Sequence, residues 1–74
     1  MTPQTDSRGQ AYFDVGNIRV TAIGKTWGGS SGLRFQAYSG KGNALLRGAE
    51  LPVPDPATAY QLMTSIVAAL QTLE

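Results

Sequence analysis

Five basic side chains spaced through the middle of the chain, Arg19, Lys25, Arg34, Lys41 and Arg47, are interleaved with Trp27 and Tyr38, with Tyr12 a little upstream. Cations neutralise phosphates and release counterions, and flat rings stack on bases. The mixture therefore has the composition of a surface for single-stranded nucleic acid. Residues 8–47 carry all six Lys and Arg against Asp14 alone, a net +5, whereas residues 48–74 carry only Glu50, Asp55 and Glu74, a net −3. The whole-chain charge of +1 thus conceals a basic half. The same cations and rings also suit an acidic protein surface, because Trp, Tyr and Arg are the usual anchors of protein interfaces. Two partner classes stay open: single-stranded nucleic acid and an acidic protein surface.

Most catalytic chemistry is closed to this sequence. It has no His and no Cys, which removes Ser-His-Asp triads, cysteine nucleophiles and histidine bases together. A structural zinc site and disulfides go with them, so no metal and no cofactor is expected. Gly24-Lys25-Thr26 has the ending of a phosphate-binding loop. The full motif needs a glycine where Arg19 stands, however, and Trp27-Gly28-Gly29 does not open a helix. Ser30, Ser31 and Ser39 lie in Gly-rich turns, with no sign of burial that would make Lys25 or Lys41 a base. A non-enzymatic binding module is the expectation.

The elements that must position these residues follow from patterning. Residues 1–10 are polar, with Pro, Ser and Gly, and read as a flexible arm; residues 11–74 form one small domain. Ala11–Val15 and Ile18–Ile23 flank Gly16-Asn17, which is a hairpin signal. In the second run Ile18, Val20 and Ala22 alternate with Arg19, Thr21 and Ile23, so the apolar set is expected inside and the Arg19 set outside. Leu33–Tyr38 alternates likewise, placing Leu33 and Phe35 inside and Arg34 and Tyr38 outside. A less regular strand spans Ala44–Leu51 after the turn at Ser39–Asn43. Asp55-Pro56 then starts a helix: Asp55 suits the N-cap, and Pro56 the first turn, where no amide donor is needed. The fold class is α+β, an antiparallel β-meander of three to four strands followed by one C-terminal helix packed on the sheet.

From Pro56 to Leu73 no residue is charged. A helix facing water normally carries charge, so Tyr60, Met63, Ile66, Val67 and Leu70 are expected to meet a partner. A chain of 74 residues has little core of its own, and oligomerisation is the remaining supplement, so a homodimer is expected. The first residues lack a basic stretch followed by an apolar one, and no run of about 18 apolar residues occurs. A cytoplasmic protein without a membrane span is the expectation.

Some local patterns carry a resemblance. Phe13-Asp14-Val15-Gly16-Asn17-Ile18-Arg19-Val20, then Arg47-Gly48-Ala49-Glu50-Leu51, then Tyr60 with Met63, together resemble the PC4 family, the p15-like single-stranded DNA-binding transcriptional coactivators. The resemblance covers about residues 13–70. It implies a meander with a C-terminal helix, phosphate contacts from Arg19, Lys25, Arg34, Lys41 and Arg47, and base stacking on Trp27 or Tyr38. The alternative, by size and composition, is a small protein–protein interaction module, such as a phage-encoded inhibitor of the anti-CRISPR type.

Overall fold

Asp6 is the first residue to organise the chain. In the computed structural model, which describes residues 1–40 and 44–74, its Oδ1 accepts from the backbone N–H groups of Arg8 and Gln10, both at 2.9 Å. Its backbone pairs with Gln10 and Gly9 at 3.0 Å, and Gly9 takes φ +79°, the left-handed region open to glycine. This turn folds the polar N-terminal segment back as strand β1 (Gln4–Thr5) against β2 (Ala11–Val15). The segment expected to be an arm therefore contributes a strand, which short-range patterning in two residues does not reveal.

The remaining strands are β3 (Ile18–Ile23), β4 (Gly32–Ala37) and β5 (Ala49–Leu51), and the helix α1 is Pro56–Gln71. Strand order is β1-β2-β3-β4-β5 with every pair antiparallel, so the meander and terminal helix match the expected α+β class, with five strands. Gly16-Asn17 makes the two-residue turn between Val15 and Ile18, with Gly16 at φ +57°. Within Ala44–Leu51 only the last three residues form a strand, preceded by a bridge from Leu45 to Tyr38. Gly48 explains this irregularity. Its backbone lies so close to β4 that a Cβ would run into the Phe35 carbonyl oxygen.

Register sorts the side chains into two faces, because successive residues of a strand point to opposite sides. One face carries the row Gln4, Tyr12, Thr21, Arg34 and Glu50, which crosses all five strands, and beside it Asp14, Arg19 and Gln36. The other carries Phe13, Val20, Phe35 and Ala49, with Ala22, Leu33 and Leu51 on one side and Val15, Ile18 and Ala37 on the other.

Burial inverts the expected faces. Thr21 is 1% exposed and Ile23 6%, both on the polar side, whereas Val15 is 63% exposed and Ile18 49%. In register Thr21 lies between Tyr12 and Arg34, long side chains of the same face whose stems suit covering a short one. The apolar face lacks that cover because α1 does not dock on it: no residue of α1 is buried and no strand lies against it.

The helix itself starts as its sequence requires. Asp55 is the N-cap, with Oδ1 accepting from the Thr58 N–H at 2.8 Å, and Pro56 follows in the first turn. The N–H of Thr58 holds the Asp55 carboxyl below its ordinary pKa. The connection from β5 contains Pro52, Pro54 and Pro56, whose locked φ angles stiffen the exit from the sheet edge. The helix standing off the sheet enlarges the molecule. Its radius of gyration is 13.3 Å, against about 11 Å for a typical domain of this length.

Candidate nucleic-acid interface

The polar face owes its geometry to a guanidinium held between rings. Tyr12 on β2 and Arg19 on β3 share this face, and the Arg19 guanidinium carbon lies 3.6 Å from the Tyr12 ring centroid and 5.3 Å from that of Tyr38. These are cation–π distances. Arg19 Nε donates to Asp14 Oδ1 at 3.0 Å, and Nη2 donates to Asp14 Oδ2 at 3.4 Å and to the Tyr38 hydroxyl. The Tyr38 hydroxyl donates in turn to Asp14 Oδ2 at 3.2 Å, and Tyr12 Oη donates to Gln4 Oε1 at 2.7 Å. Asp14 is held below its ordinary pKa, chiefly by the hydrogen bond from Arg19. Partial burial in the cluster, then the facing Asp14 carboxylate, push the Tyr38 phenol up. Arg19, expected to be open for phosphate, is already paired and stacked.

Beside this stack is a polar cleft of about 480 Å³ lined by Arg8, Arg34, Gln36, Leu45, Arg47, Gly48 and Glu50. Its three arginines come from separate parts of the chain: the β1–β2 turn, the middle of β4, and the approach to β5. The β4–β5 register places Arg34 opposite Glu50, and Arg34 Nη2 reaches Glu50 Oε2 at 2.9 Å. Gln36 Nε2 donates to the Leu46 carbonyl at 3.2 Å. Among the described residues Arg8 and Arg47 carry no ion pair, so three cations meet one carboxylate here.

The other expected site residues fall elsewhere. Lys25 is exposed on the β3–β4 connection. Trp27, on the same connection, is 77% exposed and donates its Nε1–H to the Glu50 carbonyl at 2.9 Å, outside the Arg19 stack. Lys41 lies outside the described residues. Tyr60, Met63, Ile66, Val67 and Leu70 are exposed along α1. Sequence reasoning passed over Arg8, Asp14, Gln36 and Glu50. Arg8 sat in a segment without pattern, and the Arg34–Glu50 pair depends on a strand register the sequence does not print.

No protein-family model, curated protein or solved structure matches this chain. Among the described residues no three acidic, His or Cys side chains converge as a metal site would require, and no helix is long and apolar enough to cross a membrane.

Proposed function

We propose that the protein is a non-enzymatic binding module that holds single-stranded nucleic acid on its polar sheet face. The observation carrying this reading is the convergence of Arg8, Arg34 and Arg47 on one cleft beside the Tyr12–Arg19–Tyr38 stack. Unpaired arginines at the cleft take phosphates, and the tyrosine rings at its side offer faces to unstacked bases. In this arrangement Arg8 and Arg47 supply the electrostatics, while Arg19 acts mainly to hold the two rings.

Fluorescence anisotropy with a labelled single strand of about 20 nucleotides, repeated across salt concentrations, tests the reading. Arg47→Ala and Arg8→Ala should weaken binding to all sequences alike and make the salt slope shallower by about one or less. Tyr38→Ala should cost about 1–3 kcal/mol with little change of slope, because stacking releases no counterions. Absence of binding at low salt would refute the proposal. It would leave the same Tyr and Arg side chains as anchors for an acidic protein surface.

A further inference from the structure

The side of the sheet away from the cleft presents Phe13, Val15, Ile18, Val20, Leu33 and Phe35, none of them buried. No charged residue occupies a paired position on that face. The helix is equally bare. Met63 is 51% exposed, Ile66 45%, Val67 54% and Leu70 61%, and Pro56–Gln71 holds no charge. Two neutral apolar surfaces of one small chain are thus both open to water.

The molecule also exposes more surface than a compact chain of its mass. The chain exposes 5634 Å², while a folded monomer of 7.8 kDa ordinarily exposes about 4,400 Å². The excess is about 1,200 Å² per chain, or about 2,400 Å² for a pair, which falls in the size class of obligate homodimer interfaces. Among the described residues only Ile23 is a buried hydrophobic, so the chain has little apolar core of its own.

We infer that a second copy of this chain covers the apolar sheet face, with α1 of each protomer lying across the sheet of the other. Several observations select this occupant. The stiff Pro52–Pro56 connection carries α1 off the edge of its own sheet, leaving its apolar side chains presented outward. A partner rich in charge would find no counter-charge on either surface and would lose hydration without return. A second copy brings a neutral helix and a neutral sheet face together, and a two-fold axis satisfies both contacts at once. At 1.5 Å per residue a helix of 16 residues is about 24 Å long. Five strands at about 4.8 Å spacing span about 19 Å between the outermost strands, so the helix reaches across them. The polar cleft lies on the opposite side and stays open, so this inference stands independently of the nucleic-acid reading.

Sedimentation velocity on the full chain at micromolar concentration provides the first test. A species of twice the 7.8 kDa chain mass is expected, and a monomer at tens of micromolar overturns the inference. Val15→Asp, on the sheet face, and Ile66→Asp, on the helix, should each weaken the dimer at least tenfold. If Ile66→Asp weakens it and Val15→Asp does not, the dimer is helix to helix and the exchanged arrangement is overturned. Val15→Thr, which keeps the β-branched shape, should retain the dimer and separates loss of association from loss of the strand.

A second measurement does not depend on disruptive variants. The chain has no cysteine, so V15C and I66C chains can be mixed in equal amounts and treated with a short bis-maleimide. A cross-linked product joining the two different chains is expected. Its absence, with cross-linking confined to I66C pairs or to a V15C/I66C double variant as monomer, overturns the arrangement.

Discussion

Removing an acid should improve binding if the cleft holds phosphate. Glu50 is the carboxylate that lines the cleft, 2.9 Å from Arg34 Nη2, and its side chain is 31% exposed. Glu50→Gln keeps an oxygen that accepts from Arg34, so the guanidinium stays in place while the negative charge goes. For a phosphate held on the far side of Arg34, a separation of about 6 Å from that carboxylate is taken for the Coulomb energy. At effective dielectrics between those of a protein surface and of water, relief of the repulsion is worth about 1 kcal/mol, roughly fivefold tighter binding at low salt. The salt dependence should steepen by up to about 0.7, the value for one further phosphate on a single strand. The fold should lose less than about 1 kcal/mol, as for other partly exposed pairs. Anisotropy across a salt series reads both quantities, with Glu74→Gln as the control that changes net charge equally at the far end of the chain. Equal gains from both variants, or no gain from Glu50→Gln, would refute the local reasoning.

Three further outcomes concern the fold. Gly48→Ala cannot be accommodated without separating β4 from β5, since its Cβ meets the Phe35 carbonyl oxygen; a clear loss of about 2 kcal/mol or more is expected in thermal or denaturant melts. Asp55→Ala removes the acceptor for the Thr58 N–H and should cost about 1 kcal/mol, read as reduced helical ellipticity. Asp14 and Asp55 both have depressed pKa values in the folded chain, so their contribution is present above the ordinary carboxylate range and is lost as pH falls through and below it. Denaturant midpoints should therefore hold from pH 7 to about 5 and decline below about pH 4. Unchanged midpoints at pH 3 would argue against the Asp14–Arg19 pair.

The hairpin at Gly16-Asn17 and the helix start at Asp55-Pro56 were legible because each depends on a few adjacent residues with fixed conformational preferences. The inside and outside of the sheet were not. Alternation separates Ile18, Val20 and Ala22 from Arg19, Thr21 and Ile23, but it does not say which set is covered. Assigning the apolar set to the interior assumed that α1 would lie on it. In the structure the polar set is the better buried, with Thr21 1% exposed and Arg19 against the Tyr12 and Tyr38 rings, and the helix is elsewhere. The cleft was half legible: Arg34 and Arg47 stood out as cations in a basic stretch. Arg8 joined them only through the turn built by Asp6, and Glu50 through a register set by close approach at Gly48.

Glu50 is held at both ends by different parts of the molecule. Its side chain pairs with Arg34, while its backbone carbonyl receives the indole N–H of Trp27, the chain's single tryptophan. The indole is otherwise largely in water, 77% exposed. Under the proposed function, a ligand that engages Arg34 would compete with the Glu50 side chain, on the same residue whose carbonyl holds Trp27. If the cleft takes an anion as proposed, Trp27 is placed to report its arrival optically. Titrating an unlabelled anion and following tryptophan emission would register arrival at Arg34 without any dye attached to either partner.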